Sequence, residues 1–181
     1  VAARPKGPVS VNLIAAERHA DRVLCDLENI DLHGGMGIFE PQGRNTAAAV
    51  AVAAQVALAD GDLLALVVPS DHEITTTADF WKTIESGVEA AKAGRIVVFG
   101  IPPAHPETGY GYIEAGTAFD GREDRDVRRF VEKPDSQKAE SYLAAGNYFW
   151  NAGIFLFRGS VMRDAFLAHA PEIWSGVEKA V

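Results

Sequence analysis

Leu63-Leu64-Ala65-Leu66-Val67-Val68-Pro69-Ser70-Asp71-His72 opens as an unbroken apolar run, meets a proline and ends in polar residues. Apolar side chains without alternation predict a strand covered on both faces, as in the parallel sheets of α/β proteins. Pro69 closes the ladder because it has no N–H to give. Asp71 then stands at the carboxyl end of the strand, the edge of an open α/β sheet where ligands bind.

The flanks repeat that logic. Upstream, Asn45 is placed to cap a helix of alanine and valine over 46–59, which Asp60-Gly61 stops. Short strands are expected at 9–14 and 38–40, with a helix over 17–27 (Val23, Leu24 and Leu27 on one face) and a turn at 34–37 between them. Downstream, Phe80, Ile84, Val88 and Ala91 recur at helical spacing, Gly94 ends that helix, and 96–100 is another buried strand. Beyond it come a loop entering a strand over 107–114, a polar turn over 116–125, a strand over 127–132 cut off by Lys133-Pro134, and a helix over 136–145. An aromatic strand over 148–157, a helix capped by Ser160 and a last helix opened by Pro171 complete the chain. The alternation predicts an α/β fold with a mixed, mostly parallel sheet flanked by helices, in a single domain over 1–181.

Composition narrows the classes. In 181 residues, hydrophobic content of 48% supplies a core, and charged content of 23% is ordinary for a globular chain. A formal net charge of -8 argues against a nucleic-acid surface, which needs a basic face. It leaves room for one bound nucleotide, which needs only a few local cations and backbone N–H groups. The one cysteine, Cys25, precludes an internal disulfide and suits a reducing, cytoplasmic setting. No run approaches the roughly 20 apolar residues of a membrane span. No dinucleotide-binding or Walker glycine pattern, zinc-like His/Cys spacing or nucleophile elbow is present.

The candidate chemistry sits where elements end. Asp71 fits either a magnesium ligand, since that ion takes oxygen donors and bridges to phosphates, or a cap on the following turn. Arg44, in Glu40-Pro41-Gln42-Gly43-Arg44-Asn45-Thr46-Ala47, precedes a helix start whose free N–H groups attract anions, and its guanidinium can grip a phosphate by two parallel bonds. Gly43 would let a ligand approach the backbone. Glu40, as an ionised carboxylate, only accepts hydrogen bonds, and guanine offers two adjacent donors where uracil and thymine offer one. Glu132-Lys133-Pro134 ends a strand, with Lys133 a charge for a sugar phosphate and Glu132 an acceptor for hydroxyls, or the two form an exposed ion pair. Gly109 and Tyr110, in Thr108-Gly109-Tyr110-Gly111-Tyr112, allow a sugar near the backbone or form a hairpin arm. Asn151, inside an apolar strand, needs a partner that is either a ligand or another strand.

Taken in order, Glu40–Ala47, Pro69-Ser-Asp-His72, Glu107-Thr-Gly-Tyr-Gly-Tyr112, Phe130-Val-Glu-Lys-Pro134 and Trp150-Asn-Ala-Gly153 resemble the bacterial mannose-1-phosphate guanylyltransferases, within the sugar-phosphate nucleotidyltransferases. The resemblance implies the Rossmann-like nucleotide-diphospho-sugar transferase fold. It implies GTP and mannose 1-phosphate as partners, GDP-mannose and pyrophosphate as products, and Mg2+ as cofactor on Asp71. Glu40, Gly43, Arg44, Asn45, Ser70 and Asp71 would then face the nucleotide. Gly109, Tyr110, Glu132, Lys133 and Asn151 would face the sugar. Asp71, Lys133 and Arg44 would carry the catalysis, and a homodimer is suggested. The family's glycine-rich phosphate loop and second metal aspartate have no match here, so the chain is expected to be a central portion of such an enzyme. A transferase for another base or sugar, and a non-catalytic nucleotide-sugar-binding module, are the alternatives.

Overall fold

A computed structural model describes residues 10–28, 35–43, 45–119 and 124–180, the side chains of 26–28 excepted. Six α-helices and seven strands alternate along these residues. β1 (Leu13–Ala16) pairs in parallel with β2 (Gly37–Glu40), and α1 (Ala20–Glu28), preceded by a turn of 3-10 helix, lies between them in sequence. Then follow α2 (Asn45–Ala59), β3 (Leu64–Val67), α3 (Thr77–Lys92), β4 (Val97–Ile101), β5 (Tyr112–Ala118), β6 (Arg125–Val131), α4 (Ser136–Ala145), β7 (Tyr148–Arg158), α5 (Gly159–His169) and α6 (Pro171–Glu178).

The α/β class with a mixed sheet holds, and strand directions refine it. β3 and β4 run parallel to each other, but β7 lies between them, antiparallel to both. Every direct pairing in the five-stranded sheet is therefore antiparallel, and the parallel ladder is β1–β2. Trp150 pairs with both Ile101 and Tyr112, and Phe155 with both Val67 and Val98, so β4 takes one edge of β7 while β3 and β5 share the other. β3 lies against 155–158 and β5 against 148–150. Between them, 151–154 faces a notch.

Three apolar clusters hold helices to this sheet. Phe157, wholly buried, packs with Val50, Ala51 and Ala54 of α2, Met162 of α5 and Trp174 and Val177 of α6, and Ile14 and Ile38 bring the β1–β2 pair onto the same core. Glycine at 159 lets the start of α5 close onto α2: a Cβ there would meet the Ala54 carbonyl oxygen and the Leu58 nitrogen, both at 3.0 Å. On the other face, Ile84 and Ala91 of α3 cover Ala152, Ile154 and Leu156. Tyr112, Tyr148 and Trp150 with Ala139 form the third cluster.

Several local expectations shift. The first strand begins at Leu13 rather than 9, and Val9, Gly34 and part of the polar turn (120–123) lie outside the described residues. Leu24, expected on a buried face, is exposed. Asn45 has φ of 63°, not the extended backbone of an N-cap, and makes no side-chain hydrogen bond among the described residues. Ser160 does not cap α5 either. Its N–H and its hydroxyl each donate to the carboxylate of Asp62, at 2.7 Å, so the start of α5 is satisfied from the loop before β3. The helix over 136–145 is as expected, capped by Asp135, whose carboxylate accepts from the Lys138 N–H at 2.9 Å.

Candidate functional site

The notch opens onto a cavity of about 580 Å³ at the carboxyl ends of β3 and β4. Its floor is apolar, with Phe80 and Ile84 from α3, Phe99 and Ile101 from β4, and Ile154 from β7. Asp71, His72 and Glu73 stand at one rim, following Pro69 and Ser70 out of β3. Tyr110 and Trp150 make an aromatic wall, with ring centroids 5.4 Å apart and edge to face. Asn151 lines the space between.

The Asn-Ala-Gly sequence has a physical reason at the notch. The β4–β7 register shifts between Val98 and Gly100, and Gly153 takes φ of 67°, a left-handed value that side chains resist. A Cβ at 153 would also sit 3.3 Å from Pro69. The bulge thus seats β7 beneath the Pro-Ser-Asp turn. Asn151 donates its backbone N–H to the Gly111 carbonyl at 2.8 Å, and its side-chain oxygen accepts from the Gly153 N–H at 3.1 Å. Its amide NH2 makes no hydrogen bond among the described residues and is a donor left for the cavity.

Glu132 adjoins this arrangement through Gly111, where a Cβ would lie 3.0 Å from its Oε2 and 3.7 Å from the Asn151 Cβ. Lys133, at φ of 40°, is exposed and 3.7 Å from Glu132. Gly109 donates its N–H to the Glu107 carboxylate at 2.8 Å. Asp71 makes no hydrogen bond or ion pair among the described residues, and no cluster of three His, Cys, Asp or Glu side chains there is arranged to close around a metal. A rim carboxylate such as Asp71 suits an ion that keeps waters and substrate oxygens as its other ligands, as magnesium does.

Asp71, Tyr110 and Asn151 therefore meet in one cavity, with Glu132 and Gly109 beside it. Glu40, Gly43 and Asn45 do not line it. They follow β2, and among the described residues no ladder joins the β1–β2 pair to the larger sheet. Arg44 lies outside the described residues. Sequence predicts Phe80 only on a helix face, and gives no individual role to Thr83, which also lines the cavity, or to His105, Trp150 and Glu107. Trp150 and Glu107 lay inside quoted motifs, so their types were visible but not their neighbours.

The profile of the nucleotidyl transferase family matches residues 3–181. The chain belongs to that family. It is 48% identical over 147 residues to a mannose-1-phosphate guanylyltransferase of Sinorhizobium fredii, a match covering 80% of this chain and 28% of that protein. The solved structure of a mannose-1-phosphate geranyltransferase from Thermus thermophilus superposes with a TM-score of 0.80 at 34% identity, over 93% of this chain and 48% of that one. A mannose-6-phosphate isomerase structure from Helicobacter pylori gives 0.83 at 32% identity, over 94% and 64%. The chain spans about a third of the length of the curated relatives it matches. The family and its fold thus agree with the expectation drawn from the ordered motifs. No helix among the described residues is long and apolar enough to cross a membrane.

Proposed function

We propose that this chain carries the sugar-nucleotide site of a mannose-1-phosphate guanylyltransferase, which makes GDP-mannose and pyrophosphate from GTP and mannose 1-phosphate. The observation that carries the reading is the meeting of Asp71, Tyr110 and Asn151 in one cavity at the carboxyl ends of two parallel strands. The name of the Sinorhizobium relative supports the choice of substrates.

In this reading the sugar lies against Tyr110 and Trp150, with the Asn151 NH2 and the Glu132 carboxylate turned to its hydroxyls. Trp150 Nε1, buried and without a partner among the described residues, is a further donor that a ligand oxygen or a water would satisfy. Lys133 meets the sugar phosphate, and Glu40 with the 43–45 loop, Arg44 included, faces the guanine nucleotide. Ser70 and Asp71 face the phosphates. A phosphate oxygen of mannose 1-phosphate forms a bond to the α-phosphorus of GTP as the bond to pyrophosphate breaks. No proton transfer to carbon is needed, so positioning and charge neutralisation do the catalysis. A divalent ion, Mg2+ by this reading, would be held by Asp71 and would supply part of that neutralisation.

Calorimetric titration with GDP-mannose and with UDP-glucose, each with magnesium, tests the proposal. GDP-mannose is expected to bind at least about tenfold more tightly, and Glu40→Gln to remove most of that preference, since a guanine-facing acceptor accounts for roughly 1–3 kcal/mol of discrimination in comparable base contacts. Equal binding of the two nucleotide sugars would overturn the guanine assignment.

A further inference from the structure

Resting on that reading of the cavity, we infer that Glu107 is a positioning residue: its carboxylate sets the turn that carries Gly109 and Tyr110 and so fixes the sugar-facing aromatic wall. Glu107 does not line the cavity, and its work is done one layer behind. Its backbone N–H donates at 2.9 Å to the hydroxyl of Tyr112, a wholly buried ring at the start of β5. That bond ties the middle of the loop between β4 and β5 to the core.

From this anchor the carboxylate reaches both ways along the loop. Oε1 accepts the Gly109 N–H at 2.8 Å, and Oε2 lies 3.5 Å from His105 Nε2. His105 and Tyr110 flank the loop, and each sets its ring against Trp150, at centroid separations of 5.0 and 5.4 Å. One carboxylate thus joins His105, whose ring meets Trp150, to Gly109, the residue before Tyr110. Glycine at 109 leaves it room, because a Cβ there would stand 3.2 Å from Oε1. The Gly109 N–H, and then His105, hold the Glu107 carboxyl below the usual carboxylate range, so it is an ionised acceptor at neutral pH. Tyr110 is half exposed, with its ring against Trp150. Without the carboxylate bridge, ordering that ring would fall to the ligand, which lowers affinity.

The test compares Glu107→Ala with Glu107→Gln, because glutamine keeps an acceptor oxygen for Gly109. Three readouts are taken on the full chain: amide exchange at Gly109, the Trp150 indole N–H resonance, and titration with GDP-mannose plus magnesium. In Glu107→Ala, Gly109 exchange is expected to rise and GDP-mannose affinity to fall, each by about tenfold, the scale of a charge-assisted bond. The Trp150 resonance should shift while the thermal midpoint stays in place. Glu107→Gln should restore Gly109 protection and most of the affinity. Unchanged exchange and resonance in Glu107→Ala would overturn the inference, and so would a changed loop with unchanged affinity. If the parent chain binds no GDP-mannose while Gly109 still depends on Glu107, the sugar-nucleotide reading fails, and the positioning role falls with it.

Discussion

Asp71 stands in the turn after β3, on the cavity rim with His72 and Glu73, and it alone of the carboxylates singled out from sequence lies there. Its charge is exposed and has no protein partner among the described residues, which leaves it open to a ligand. Asp71→Asn preserves shape and removes the charge. It is expected to weaken magnesium-dependent GDP-mannose binding by about tenfold or more, on the scale of losing a charge-assisted contact, while binding measured with chelator stays close to that of the parent. Equal loss with and without magnesium would instead mark Asp71 as a structural cap. Residue types at this scale were legible in the sequence alone: an aspartate after a strand, an asparagine inside an apolar strand and glycines in turns each announced a special position. Their partners were not. Sequence left Asn151 between ligand and strand, and the structure divides it, with the carbonyl bonded to Gly153 and the NH2 free for the cavity. Glu107 is not legible from its type, because its significance lies in reaching His105 and Gly109 at once, a property of loop geometry.

Elements were legible where periodicity was strong and less so at their ends. α3, α4 and β7 stand close to their expected spans because helical spacing and apolar continuity are local signals. Caps misled, since a cap is a contact and its donor can come from anywhere in the chain. Asp62, 98 residues before Ser160, holds the start of α5. Hydrogen bonds from the Ser160 backbone and then its hydroxyl, aided by Arg158, keep the Asp62 carboxyl below its usual value of 3.8. Its contribution to stability is therefore complete above about pH 3.8 and disappears as pH falls through the lower folded value. Asp62→Asn should lower the thermal midpoint at neutral pH, and the gap from the parent should narrow as both are titrated below that range. A constant gap down to the acid limit would show that the charge contributes nothing. Strand direction was the other gap: continuous apolar runs announced β3 and β4 as interior strands, but only the pairing register shows β7 inserted between them.

Across the whole molecule, two strand ends, a bulge and one loop converge on a cavity, and the helices on either face serve to keep them there. Five motifs in order predict that convergence; of the sugar-side residues, Tyr110 and Asn151 line the cavity, and Gly109, Glu132 and Lys133 do not. The nucleotide-side loop after β2 stands apart from the cavity lining, for want of any ladder between the two sheets among the described residues. Order along the chain could not reveal this, because it says which segments belong to one crevice without fixing the strands that join them. A second cavity of about 350 Å³, with Arg95 over the Phe119 ring at 4.0 Å, lies beside the β5–β6 ends and offers a ligand a different place to go. The most direct test of the central claim is a crystal structure of this chain grown with GDP-mannose and magnesium. The account predicts the mannose between Tyr110, Trp150 and Asn151, with a metal ion on Asp71 bridging to the diphosphate. Mannose bound elsewhere, at Arg95 and Phe119 for instance, with Asp71 touching neither metal nor phosphate, would contradict it.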